Sequence, residues 1–211
     1  MIRTLVVGPL EVNCYLYWDE STKEAFVIDP GGDVYRIKAA AAAEGLKVRH
    51  IVNTHGHFDH VGGDTEVREA FGAPLALHPA DERLLLDAHE HALTFGISMP
   101  PQKAADTAIE DGGRLTAGAL LLEVIHTPGH TEGGVCLYER SEGVLFSGDT
   151  LFAGSVGRTD MEGGSFEKLR DSILKKILPL GDDVKLYPGH GAPSTIGEER
   201  ELNPFIAGME L

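Results

Sequence analysis

The stretch Thr54-His55-Gly56-His57-Phe58-Asp59-His60 places four potential metal ligands within six positions, directly after an apolar run. Imidazole nitrogen and carboxylate oxygen are the donors that zinc and its neighbours accept. A loop at a strand end can turn several such groups toward one point, and Gly56 lets the backbone bend tightly between the first two histidines. Three later segments repeat the layout, an apolar run delivering a polar residue at its end. Residues 121–125 lead to His126-Thr127-Pro128-Gly129-His130, residues 144–148 to Asp149, and residues 185–189 to His190. Each alone is weak evidence. Four at the edge of one domain are hard to explain by solvation or packing.

Other candidates read more plainly. His50 lies inside a strand pattern, His78 precedes Pro79, and His89 and His91 fall in a polar helical stretch, where solvation is expected. His126 competes with His130 four positions later, and the Gly129 turn favours His130. Asp29, before Pro30-Gly31-Gly32, reads as a turn former. Cys14 and Cys136 sit in apolar segments and read as buried free thiols.

The elements that must position these groups follow from periodicity. Residues 2–7, 14–18, 25–29, 48–53, 120–126, 134–139, 144–148 and 184–187 are expected strands. Apolar spacing predicts helices over 33–44, 64–71, 80–91 and 166–178, the last through Phe166, Leu169, Ile173 and Ile177. Residues 54–60 read as loop, and residues 88–101 as a surface excursion able to reach over a site. Strands and helices alternate in two halves with no linker between them. The expected architecture is α+β, a four-layer αβ/βα sandwich forming one domain over 1–211.

Composition narrows the partners. The 211 residues are 42% hydrophobic and 24% charged, with a net charge of −15. Such acidity opposes nucleic acid and anionic membranes. No signal peptide or membrane span is evident, so a cytoplasmic location is expected.

The four ligand-bearing segments resemble the metallo-β-lactamase superfamily, whose signature is this His-x-His-x-Asp-His loop with a later His, Asp and His. The resemblance implies one metal on His55, His57 and His130, a second on Asp59, His60 and His190, and Asp149 bridging them. Within the superfamily the chain is most similar to the glyoxalase II-like branch. That likeness is carried by Thr127-Pro128-Gly129-His130-Thr131, Ser147-Gly148-Asp149-Thr150-Leu151-Phe152, Val156-Gly157-Arg158-Thr159-Asp160, Gly197-Glu198-Glu199-Arg200 and Asn203-Pro204-Phe205. Glyoxalase II carries a further C-terminal helical domain that helps to bind glutathione, and this sequence stops at Leu211. Residues 157–160 also look like persulfide dioxygenases, which use one iron in the same scaffold. The segment Pro188-Gly189-His190-Gly191 resembles the hydrolases better.

The resemblance implies a binuclear, hydroxyacylglutathione hydrolase-like enzyme acting on a small-molecule thioester such as S-lactoylglutathione. Zinc is the expected metal, with iron or manganese also suited to nitrogen and oxygen ligands. Two cations lower the pKa of a shared water to about 7, and the resulting hydroxide attacks the carbonyl. Asp59 is expected to hold the second metal and orient that nucleophile. No Ser-His-Asp or Cys-His set offers another nucleophile. Arg158, in a glycine-flanked loop after Asp149, is a candidate clamp for a substrate carboxylate, or else the partner of Asp160. The alternatives are a mononuclear iron persulfide dioxygenase and a non-catalytic metal-binding module.

Overall fold

The computed structural model describes residues 1–207. Its architecture follows from one run, Val12–Trp18, which is buried along its whole length. Successive side chains of a strand point to opposite faces, and this run divides by parity. Cys14, Leu16 and Trp18 enter one apolar cluster, Tyr15 and Tyr17 another. A strand apolar on both faces requires a layer on each side.

The first sheet supplies the centre of that arrangement. It holds β1 (Ile2–Val7), β2 (Val12–Trp18), β3 (Glu24–Ile28), β4 (Lys47–Val52), β5 (Leu75–Leu77) and the short β6 (Thr107–Ala108), in sequence order. β1 to β3 pair antiparallel, and β3 to β6 pair parallel. Parallel neighbours need crossovers. These are α1 (Val34–Glu44), then α2 (Phe58–Val61) with α3 (Asp64–Phe71), then α4 (Glu82–Thr94). Their apolar faces, through Ile37, Val67 and Leu85, cover the outer side of the sheet.

The second sheet has the order β14-β13-β10-β9-β8-β7. Its members are β7 (Arg114–Ala117), β8 (Leu120–His126), β9 (Val135–Glu139), β10 (Val144–Gly148), β13 (Lys185–Pro188) and β14 (Ser194–Thr195). The strands β11 (Leu151–Phe152) and β12 (Ser155–Val156) form a separate hairpin. Phe26, Ile28, Leu137 and Phe146 pack between the two sheets. Leu169 of α5 (Phe166–Ser172) and Ile196 of α6 (Ile196–Leu202) cover the outer face of the second. The result is the expected αβ/βα sandwich.

Three local expectations are corrected. Residues 54–60 are not wholly loop, because Phe58–Val61 closes a helical turn behind His57. The expected helix over 166–178 is α-helical only to Ser172, then widens over Ile173–Ile177 and tightens over Leu178–Leu180, where Pro179 lacks an N–H to continue it. Phe166 stays 44% exposed while Leu169, Ile173 and Ile177 are buried, so the inward stripe starts one turn later than expected. β7 and α6 were not anticipated, although Thr195 and Glu198 form a capping box that marks the start of α6. Cys14 and Cys136 are buried free thiols, as expected. Among the described residues no helix is long and apolar enough to cross a membrane.

Candidate metal centre

Strand direction gathers the chemistry. β8 and β10 each run antiparallel to β9, and β10 runs parallel to β13, so all three point the same way. Their C-terminal ends deliver residues 127–130, Asp149 and His190 to one edge. β3 and β4 do the same for Asp29 and residues 53–57. The edges are stitched together: Asn13 N–H donates to the Gly189 carbonyl at 2.8 Å, and Val135 N–H to that of Thr54 at 2.8 Å. Asn13 Nδ2 also donates to Pro188 and Gly191 carbonyls at 3.0 and 2.9 Å.

At this edge the seven predicted ligands converge. One ligand atom from each of His55, His57 and His130 lies within 4.8 Å of the others, and the same holds for Asp59, His60 and His190. A third such set, His55, His60 and Asp149, overlaps both. The helical turn at Phe58 explains how one short segment serves two sets. Residues of a helix are rotated by about 100° each, so Asp59 and His60 diverge from the extended His57. His126 is not among them. It lies half-buried, bonded to the Glu132 carbonyl and stacked on His78.

Hydrogen bonds leave the right ring nitrogens free. Thr54 Oγ1 donates to Asp29 Oδ2 at 2.7 Å and therefore accepts from His55 Nδ1 at 3.1 Å. His55 Nε2 is then unprotonated, buried and without a partner. His130 Nδ1 donates to the Arg158 carbonyl at 2.7 Å, which directs its Nε2 toward His57 Nδ1 at 2.9 Å. His60 Nδ1 lies 3.1 Å from Asp29 Oδ2. Its Nε2 stands 3.4 Å from His190 Nε2 and 3.3 Å from Asp149 Oδ1. Partners behind the ring fix tautomer and orientation in this way at metal sites. Ring nitrogens brought within 2.9 to 3.4 Å of one another suit a cation held among them.

Electrostatics agree with that use. Burial, then the neighbouring His130, pushes the His57 pKa down to about 3. Burial also takes His55 well below its ordinary value. Both are therefore neutral near pH 7, the form in which imidazole can bind a metal. Burial would raise the Asp149 pKa, but His60, His130 and His190 outweigh it, and the carboxyl is held below its usual range. Gly148 makes the approach possible. It has φ 48°, and a Cβ there would fall 2.3 Å from Thr54 Oγ1, which holds His55.

Two hollows open onto the centre. One of about 260 Å³ lies over Asp59, Asp149 and His190, walled by Leu10, Phe58, Phe95 and Met161. A groove of about 460 Å³ runs from His57 past Leu84 and His91 toward Glu132. Residues 88–101 thus wall the site, through His91 and Phe95. His91, expected to be solvated, stacks edge-on with Phe58 and Phe95. Arg158 lines the first hollow, but its guanidinium forms a bidentate pair with Asp160, at 2.8 and 2.9 Å.

Sequence reasoning missed the supporting groups. Asp29 is no mere turn former: it is buried, accepts from the Thr54 amide at 2.7 Å, and stands behind both Thr54 and His60. Asp81 was not singled out at all. Its position beside the ligand loops depends on where α4 starts, which no local signal encodes.

This edge-built cluster on an αβ/βα sandwich defines a class. The chain belongs to the metallo-β-lactamase superfamily, whose sequence profile matches residues 7–190. That is a superfamily of metallo-hydrolases that bind metal ions. The chain is 37% identical to the probable metallo-hydrolase YqgX of Bacillus subtilis, over 99% of each chain. It is 36% identical to hydroxyacylglutathione hydrolase GloC of Haemophilus influenzae, over 97% of each. A bovine relative, the mitochondrial persulfide dioxygenase ETHE1, is 34% identical over 91% of this chain and 70% of its own. Among solved structures, BLEG-1 B3 metallo-β-lactamase superposes with a TM-score of 0.93 at 39% identity, covering 99% of this chain and 100% of its own. TTHA1623 in a di-iron-bound form gives 0.89 at 37% identity, covering 96% and 99%.

Proposed function

We propose that this chain is a binuclear metallohydrolase of thioesters. His55, His57 and His130 hold one metal, Asp59, His60 and His190 the other, and Asp149 stands between them. The carrying observation is the pair of three-residue ligand sets with Asp149 grouped against one histidine of each, and with ring nitrogens of His55 and His130 freed by Thr54 and Arg158. Bound there, two cations would supply Lewis acidity and lower the pKa of a coordinated water to about 7. The remaining work falls to the chain. Asp149 and Asp59 balance the charge of the cations and fix their places. Phe58, Phe95, Leu10 and Met161 shed water from the mouth, which strengthens every charge interaction inside it. The hollow over Asp59, Asp149 and His190, which Arg158 lines, receives the substrate. A thiolate leaves without a strong general acid, and the mouth offers none.

Relation to GloC makes a glutathione thioester the first substrate to try, and zinc or iron the first metals. Turnover of S-lactoylglutathione within a thioester panel, with metal content by mass spectrometry, tests the proposal. Two metals per chain with thioester turnover support it. The second reading, a persulfide dioxygenase with one iron, is suggested by the relation to ETHE1, and one iron with oxygen consumption would establish it instead.

Arg158 provides a sharper test of substrate charge. The Asp160 pair is exposed and screened by solvent, so a substrate carboxylate can compete for the guanidinium. Arg158→Ala is expected to raise KM for an anionic thioester about tenfold, the worth of one charge-assisted hydrogen bond. KM for a neutral thioester should hardly move. Equal losses on both would mean that the Arg158 side chain is structural, acting through its pair with Asp160.

A further inference from the structure

Asp81 is a fully buried carboxylate in the short turn Pro79–Asp81 that precedes α4. Its Oδ2 accepts from the Gly56 amide at 2.9 Å and from Thr131 Oγ1 at 2.7 Å. Its Oδ1 accepts from the Gly133 amide at 2.6 Å. Gly56 lies between His55 and His57, and Thr131 directly follows His130. One carboxylate therefore ties together the two loops whose rings meet at 2.9 Å. The fit has no slack: a Cβ at Gly56 would stand 2.7 Å from the Asp81 carbonyl, and one at Gly133 2.7 Å from Asp81 Cγ.

A buried charge is costly unless fully hydrogen-bonded, and the three donors on Asp81 are all neutral. Their alignment makes the cost useful only if it holds something in place. The other ligand set does not lean on Asp81: His60 Nδ1 lies 3.1 Å from Asp29 Oδ2, and Val12 makes a strand contact with His190.

We propose that Asp81 is a positioning residue that preassembles the His55, His57 and His130 set and so governs metal affinity at that site alone. This rests on the two-metal reading above. Asp81→Asn keeps the size but turns an NH₂ toward at least one N–H or O–H donor, so one contact becomes repulsive. Support of this kind behind ligands is worth about 10- to 100-fold in metal affinity.

The test titrates the metal-free, full-length chain with zinc against a competing chelator. In Asp81→Asn, the site that is absent from His57→Ala protein should weaken about 10- to 100-fold. The other constant should hold, and excess zinc should restore activity. Both constants unchanged with a lowered melting temperature would overturn the proposal, as would equal weakening of both. Should Asp81→Asn fail to fold, Thr131→Val removes a single donor and must give a smaller shift at the same site; no shift refutes the idea. If the wild-type chain takes one zinc only, the two-metal reading fails, and Asp81 is judged on whether that one constant weakens.

Discussion

Asp149→Ala is expected to lower kcat/KM by about a thousandfold or more while the protein stays folded. Asp149 ends β10 and lies 3.3 Å from His60 Nε2, 3.5 Å from His130 Nε2 and 3.7 Å from His190 Nε2. It groups with His55 of one ligand set and His60 of the other. Its loss removes charge balance from both cations, and several kcal/mol of metal-derived stabilisation at about 1.4 kcal/mol per decade gives the stated factor. Metal content should fall at both sites. Asp59→Ala, which touches only the second set, should empty one. Melting curves and circular dichroism separate chemistry from unfolding, because alanine here deletes a buried charge without opening the sandwich core. Near-normal turnover by folded Asp149→Ala protein would exclude the bridging role.

The second large effect concerns the metal-free protein, which should lose stability as pH falls from 7 to 5. The His57 pKa lies near 3 in the fold, pushed down by burial, against about 6.5 when unfolded. Between those values the unfolded chain binds a proton that the folded chain refuses, so stability rises with pH. From pH 7 to 5 this single group removes about 2 kcal/mol, and His55, lowered in the same sense, adds to the loss. His60 and His190 act oppositely. Burial would lower both, but for His60 the charges of Asp149 and Asp29, and for His190 the hydrogen bond to Asp59, raise them. Their contribution is complete below about pH 6.5 and fades as pH climbs through the raised values. Denaturant titrations in chelator at pH 5, 6.5 and 8 should therefore find a maximum near the middle. Stability that increases steadily toward pH 5 would contradict this account.

The candidate ligands were legible because their chemistry is bunched. Four donors in six positions after an apolar strand need no tertiary knowledge, and His130, Asp149 and His190 each end a strand of their own. The strand over 14–18 was legible too, whereas its burial on both faces shows only in the structure. What stayed hidden depends on which loops meet. Asp29 looks like any strand-ending aspartate until β4 places Thr54 and His60 against it. Asp81 sits in a helix start 22 residues beyond Asp59, and only the return of residues 130–133 to that point gives it work. The turn at Phe58–Val61 is too short to carry a periodic signal. Arg158 presented two uses, clamp or ion-pair partner, and only coordinates could place its guanidinium on Asp160.

Each ligand set draws two residues from the loop after β4 and one from the second sheet. His57 and His130 are 73 positions apart, and His60 and His190 are 130 apart. Any cation held by such a set is a cross-link between distant halves of the chain, comparable in topology to a long-range disulfide. Closing loops of that length removes much of the freedom of the unfolded chain, by about 4 to 5 kcal/mol each in the entropy model. The metals would then serve as detachable staples as well as reagents. A chain nicked in the segment after α4 should lose more stability on stripping than the intact chain, because the packed core alone would then join its two halves.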